Sequence, residues 1–481
     1  MINDSRPRLV HELLDLTGRR TPDAVAVRDE EGAWTYAELL AHSRACARWL
    51  RRRGALAGDR VLVAAVPDRR VVAVLFACSR LGAVFVPVGG APGSRQWAHY
   101  VEDSEPVLIL TMRDLDTCQA EWEYDHDELL DPPQPDDTAL LLYTSGSTAL
   151  AKAVVCPHAQ VVFAMLAIAE RLGYRADDVV FCRLPFSFDY GLYQVFLCVN
   201  AGAELVLAPP GSDLTLLSSI RRRGATVVPV VPHLAAMLLR LGARDRSPTR
   251  VRLFTNTGET LPPMTVKALR DRFSGAKVQL MFGITECKRV AIMDADGDLD
   301  RPGALGRPLR GTRVRVVDAT GVEVPPGEPG EIVVCGPHVM AGYWRDPALS
   351  AKVFATDPVT GERALRTGDL GHLDDEGYLY FHGRRDQIFK RHGVRMSAVE
   401  IEAAAREVSG VSEAAVVPPA DGHDAVLFVV ASVTATEVLR RLGEHLDPAR
   451  VPGVCRVVDR LPRTVSGKLD RAELARLETA Q

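Results

Sequence analysis

Thr144, Ser145, Ser147 and Thr148 place four hydroxyls around Gly146 in the stretch YTSGSTALAKAV, and Lys152 brings a cation a few residues on. Hydroxyls and closely approaching backbone N–H groups suit polyphosphate oxygens, and the lysine offsets their charge. An apolar run, Ala139 to Leu142, precedes the stretch, and an apolar-periodic segment, His158 to Leu172, follows it. It therefore reads as a loop between a buried strand and a helix. Clusters of Ser, Thr and Gly also make ordinary turns. The stretch does not match GxxxxGK[ST], because no Lys-Ser or Lys-Thr follows the glycine, which argues against a P-loop NTPase.

Further short motifs follow in order: NTGETLP (Asn256 to Pro262), MFGITE (Met281 to Glu286), TGDLG (Thr367 to Gly371), GRRDQIFKRHGVRMSAVEIE (Gly383 to Glu402) and LPRTVSGKLDR (Leu461 to Arg471). Each alone could be a turn. Together, and in this order, they resemble the adenylate-forming superfamily of acyl-CoA ligases, luciferases and peptide-synthetase adenylation domains, over nearly the whole chain. The resemblance implies that a carboxylate attacks the α-phosphate of ATP, pyrophosphate leaves, and a thiol then attacks the acyl-adenylate. An anion must approach a polyanion, so a metal, a cation and oriented N–H donors are needed where charge develops.

On that resemblance Glu286 is the magnesium carboxylate, Thr285 the α-phosphate hydroxyl, and Lys152 and Lys468 the catalytic cations. ATP contacts fall to Thr144, Ser145, Gly146, Ser147, Thr148, Gly258, Glu259, Thr260, Phe282 and Gly283, with Phe282 over adenine. Asp369 and Arg384 take the ribose, Asp386 is the hinge, and Lys390 lies close to it. Without the resemblance, Thr285 and Glu286 read as a helix N-cap pair and Lys468 as a solvated lysine. The phosphate loop departs from the family's usual Gly, Pro and Gly at Ala149, Ala151 and Ala153. Two lost glycines remove access to positive φ, and the lost proline frees the chain. Slower pyrophosphate handling is one expectation, and a non-catalytic adenylate-binding protein is another.

LPFSFDYGLYQVF (Leu184 to Phe196) matches the family's acyl-pocket segment. Phe188 stands where acyl-CoA ligases carry histidine. Asp189 stands where amino-acid adenylation domains carry the aspartate that meets the substrate ammonium, although a helix N-cap would also explain it. By position Tyr190, Tyr193, Val230, Thr257, Met281, Arg289 and Val290 line the pocket. Lys288 and Arg289 lie near that wall, either to favour a second substrate carboxylate or as a solvated helix face. FDYG differs from the FDxS of peptide synthetases, so α- and β-amino acids both stay open. About a dozen residues follow Lys468. The acceptor thiol is therefore expected in trans, on a phosphopantetheinylated carrier protein, with coenzyme A and a non-amino acid as the alternative.

These residues require an α/β scaffold. A helix over Tyr36 to Arg53, a strand over Arg60 to Val66, a helix over Arg69 to Gly82 and a strand over Ala83 to Val88 alternate, and similar alternation runs from Thr138 to Leu280. RRRG at Arg51 to Gly54 and Arg221 to Gly224 reads as two helix C-termini. After Arg301 short β-rich runs indicate a small β barrel or distorted sheet. A mobile α+β domain is expected from residue 386, with residues 1–385 forming the large ATP- and acyl-binding domain. The 481 residues carry a net charge of −4 and 47% hydrophobic content, so a soluble enzyme is expected and nucleic acid is excluded as a partner. No run resembles a signal peptide or membrane span, which points to the cytoplasm, and nine scattered cysteines read as reduced core residues.

Overall fold

A computed structural model describes residues 7–121, 133–144, 151–209, 211, 213–357, 360–385, 388–391, 394–419, 425–446, 450–464 and 469–479. The chain divides into two compact units. One comprises residues 1–302, 306–313 and 334–365, and the other residues 303–305, 314–333 and 366–481.

The first unit contains two large sheets. In one, the strands run in the order Gly342–Tyr343, Lys152–Pro157, Thr138–Thr144, Val84–Val88, Arg60–Ala64 and Leu108–Leu110. The last four are parallel, and their near-continuous apolar sequences, such as VFVPV, suit strands covered on both faces. The other sheet has nine strands. Its parallel part places Lys277–Phe282, Leu253–Asn256, Val227–Val230, Val179–Cys182 and Glu204–Leu207 side by side, and Val25–Arg28 joins beyond them. The N-terminal strands thus belong to the second sheet rather than to the α/β stretch that follows them in sequence.

Helices form where the local signals are consistent. Thr35 caps the helix Tyr36–Arg52 by accepting from the Glu38 N–H, while Glu38 accepts from the Thr35 N–H at 2.7 Å, a reciprocal capping box. Both RRRG phrases end helices. Gly54 and Gly224 adopt φ of 94° and 65°, which an L side chain would resist.

One expected connection is corrected. The stretch after Thr144 does not lead directly into a helix, because Lys152–Pro157 pairs antiparallel with Thr138–Thr144 before the helix His158–Leu172 begins. Lys152 stands opposite Thr144 in that hairpin. The apolar, β-branched KAVVCP satisfies its backbone in the sheet, a tertiary outcome invisible to helical periodicity. Ala153 lies in this strand opposite Tyr143 and is outside the positive-φ residues. Alanine there gives up nothing that a glycine would need.

In the second unit, Val411–Val417 and Val426–Ala431 pair antiparallel, and Val454–Val457 joins in parallel. The helices Ala398–Glu407 and Ala435–His445 pack on them through a core of Met396, Ile401, Val416, Leu427, Val438 and Leu442. A five-stranded sheet is built from Arg313–Val317, Gly330–Cys335, Arg363–Leu373, Phe354–Thr356 and Leu379–Arg384. All nine cysteines are free thiols, eight of them buried. Among the described residues no helix is long and apolar enough to cross a membrane.

Candidate active site

Parallel strands present their C-terminal ends on one edge of a sheet, and ligands in open α/β sheets bind there. At that edge of the nine-stranded sheet the chain leaves Val230, Asn256 and Phe282, which end three adjacent strands. The Asn256 side chain donates to the Val230 carbonyl at 3.0 Å and the Glu259 carbonyl at 3.1 Å, bracing the turn that holds Thr257, Gly258, Glu259 and Thr260. Phe282 ends the neighbouring strand, so the loops expected to enclose adenine do leave adjacent strand ends.

Residues 283–290 form a tight return to the strand Ala291–Ile292. Lys288 N–H donates to the Ile284 carbonyl at 2.7 Å, and Val290 N–H returns to the Phe282 carbonyl at 2.8 Å. No helix follows, which removes the N-cap explanation of Thr285 and Glu286. Gly283 is required here, because a Cβ would collide with the Lys288 carbonyl and approach Arg289 Cα to 2.7 Å. Lys288 takes a φ of 67°, unusual for a lysine.

The two cations of this turn point inward. Neither is on a solvated helix face, since Lys288 is 0% and Arg289 3% exposed. Lys288 Nζ donates to the Thr285 carbonyl at 2.9 Å and to Cys156 Sγ at 3.3 Å, tying the turn to the Lys152–Pro157 strand. Arg289 Nη1 meets Asp189 Oδ2 at 3.1 Å, and its guanidinium lies over the Tyr190 ring. Among the described residues, Arg289 Nε is buried without a hydrogen-bond partner, as is Thr257 Oγ1.

Asp189 is 5% exposed and begins the helix Asp189–Ala201, whose N-cap is Phe188. The capping explanation of Asp189 therefore gives way to a buried ion pair. Phe188 meets Tyr190 edge-on. Tyr190 bonds Thr255 Oγ1 at 2.7 Å, and Tyr193 donates to the Val161 carbonyl at 3.5 Å, so both hydroxyls are engaged within the protein. Burial pushes both phenols well above the ordinary tyrosine range. Val230, Met281 and Val290 are also buried.

Glu286 is half-buried, and Oε1 accepts from the Tyr343 hydroxyl at 2.6 Å. No three His, Cys, Asp or Glu side chains cluster among the described residues. Glu286 would hold a divalent cation through its own carboxylate, which fits magnesium bound mainly through substrate phosphates and waters. Tyr343 was not foreseen, because it lies 57 residues from Glu286 in an apolar and glycine-containing stretch without charge or period. Cys156, the partner of Lys288, was hidden for the same reason.

In the second unit Asp369 is buried and stands opposite Arg384 in the strand pair, with Oδ1 3.8 Å from Arg384 Nε. Its N–H donates to Thr367 Oγ1 at 3.1 Å, which fixes the strand beside it. Arg385 Nη2 bonds the buried Glu331 at 2.8 Å. Lys390 lies in the strand Ile388–Arg391. Lys468, Asp386, Ser145, Gly146, Ser147, Thr148 and Ala149 lie outside the described residues. The described ends of the Lys468 segment are held together, because Arg463 and Leu469 form a β-bridge and Asp470 N–H donates to the Pro462 carbonyl at 2.9 Å. Glu402 accepts from Arg471 Nη2 and Val416 N–H, both at 2.8 Å, anchoring the helix Arg471–Thr479 just beyond.

The chain is 29% identical to L-proline--[L-prolyl-carrier protein] ligase of Pseudomonas fluorescens, across 98% of this chain and 99% of that protein. It is 30% identical to 2-succinylbenzoate--CoA ligase of Bacillus cereus, across 95% and 96% respectively. The solved complex of VinN with L-aspartate is 42% identical, covers 78% of this chain and 98% of its own, and has a TM-score of 0.69. The chain spans 19% of the length of the plipastatin synthase subunits that it also matches. The AMP-binding enzyme model matches residues 14–344 and the AMP-binding enzyme C-terminal domain model residues 400–468. Together these two models cover most of the chain, and the chain belongs to the AMP-binding enzyme family.

Proposed function

We propose that this protein is an AMP-forming ligase that adenylates an amino acid bearing a second carboxylate and passes the acyl group to the phosphopantetheine thiol of a carrier protein in trans. The observation that carries the reading is the buried Asp189–Arg289 pair. Two opposite charges at one pocket wall suit a substrate whose ammonium and carboxylate are neighbours, with the ammonium at Asp189 and the carboxylate at Arg289. Arg289 Nε and Thr257 Oγ1 are buried polar atoms without partners among the described residues, and a substrate oxygen would satisfy them. The carboxylate held by Arg289 is then not the one activated; the distal carboxylate is. L-aspartate, the ligand in the VinN complex, has this arrangement.

ATP is the second substrate. Lys152 and the hydroxyls of the phosphate loop bind its polyphosphate, Thr285 the α-phosphate, and Asp369 with Arg384 the ribose. Lys468 neutralises charge between the α-phosphate and the attacking carboxylate. Glu286 would hold a magnesium ion, which would supply further charge neutralisation on the phosphates. Residue 386 is the hinge about which the small domain, from residue 386 onward, turns between adenylation and thiol transfer. Coenzyme A is the alternative acceptor, supported by the likeness to a CoA ligase over 95% of this chain.

Arg289→Leu tests the substrate assignment. We expect kcat/KM for an amino dicarboxylate to fall about a hundredfold, with a much smaller loss for a monocarboxylic amino acid. Equal losses for both would reject the assignment.

A further inference from the structure

One oxygen of the Glu286 carboxylate is already engaged, by the Tyr343 hydroxyl at 2.6 Å. The same short segment holds the Glu286 backbone, since Met340 N–H donates to the Glu286 carbonyl at 2.9 Å. It is also the edge strand of the phosphate-loop hairpin. Tyr343 pairs with Val154, Ala341 N–H donates to the Val155 carbonyl at 3.0 Å, and Trp344 N–H to the Ala153 carbonyl at 2.8 Å. Tyr343 itself is braced. Its N–H donates to Ser350 Oγ at 2.8 Å, and its ring meets Phe354 edge-to-face with centroids 5.4 Å apart.

We propose that Tyr343 is a positioning residue that sets the Glu286 carboxylate in register with the strand carrying Lys152. This rests on the reading of Glu286 as the magnesium carboxylate. A glutamate side chain has several rotatable bonds, and ordering it costs free energy at the moment of metal binding. A phenol donating to Oε1 meets that cost in advance and leaves Oε2 as the oxygen for the metal. Because Tyr343 belongs to the strand paired with 153–155, the carboxylate and the polyphosphate cation are referred to one sheet edge.

The test uses the full chain with Mn2+ as the probe and a non-hydrolysable α,β-methylene ATP analogue, with bound metal read by electron paramagnetic resonance. Tyr343→Phe keeps the ring against Phe354 and removes only the hydroxyl. We expect Mn2+ affinity in the ternary complex to fall about tenfold, with affinity for the metal-free nucleotide unchanged. Glu286→Gln should weaken Mn2+ binding at least as much. Wild-type Mn2+ affinity in Tyr343→Phe, with Glu286→Gln weakened, overturns the positioning role and leaves the Glu286 reading intact. Unchanged affinity in both variants overturns both. A lowered melting temperature with unchanged Mn2+ affinity would make Tyr343 a structural residue only.

Discussion

At the scale of single residues, the account turns on charges that the chain has taken out of water. Asp189 and Arg289 face each other at 3.1 Å with almost no solvent access. Removing one partner leaves the other charge buried and uncompensated, which costs about 3–5 kcal/mol. Asp189→Asn should therefore lower unfolding stability by an amount of that order, as well as abolish amino-acid activation. The double variant Asp189→Asn with Arg289→Met should regain most of the stability and none of the activity. Chemical denaturation checks this, and a double variant no more stable than Asp189→Asn would refute it. Sequence made Asp189 legible through its place in FDYG and marked Lys288 and Arg289 as cations at the wall. It could not say that they point inward. That follows from the close approach of Gly283 to the 288–289 backbone, a contact between residues that no period links.

At the scale of elements, the strands Thr138–Thr144 and Lys152–Pro157 pair antiparallel, and the second of them also contacts the 283–290 turn. Lys288 reaches Cys156 on that strand, and the 340–344 segment pairs along its other edge. The apolar runs at 139–142 and 158–172 were readable, but the strand between them was not, because its pairing partners are tertiary. His338 precedes the 340–344 segment and is fully buried, with neither ring nitrogen bonded among the described residues. Burial lowers its pKa to about 4. An unfolded histidine titrates near 6.5, so between there and pH 4 the unfolded chain binds the extra proton. Its contribution to stability is complete above about pH 6.5 and is lost as pH falls toward 4, by roughly 3 kcal/mol in all. His338→Leu should flatten that part of the stability profile, measured by urea unfolding at pH 7, 5.5 and 4.5. A profile parallel to the wild type would contradict it.

At the scale of the whole molecule, the order of short motifs indicated the family, although only some lie on turns: NTGETLP and MFGITE run from strand ends into turns, whereas TGDLG lies within the strand Arg363–Leu373. What escaped was long-range: the N-terminal strand Val25–Arg28 joins Glu204–Leu207, and the second unit takes in residues 314–333 from the middle of the chain. Pairings across such separations leave no local pattern. The division of labour between the units gives a prediction of its own. Lys468→Ala should lose adenylation by about a thousandfold while binding ATP with near-normal affinity, measured by pyrophosphate exchange and by calorimetry. Full activity would remove Lys468 from the chemistry. The Arg463–Leu469 bridge and the Glu402–Arg471 pair hold the base of its segment.

The most direct measurement is ATP–pyrophosphate exchange by the wild-type chain with L-aspartate, L-alanine, β-alanine and succinate, with magnesium and without thiol. The account predicts exchange with the amino dicarboxylate, and rates at least about a hundredfold lower when either the ammonium or the second carboxylate is missing. Succinate as fast as aspartate would contradict the role of Asp189, and alanine or β-alanine as fast as aspartate would contradict the role of Arg289.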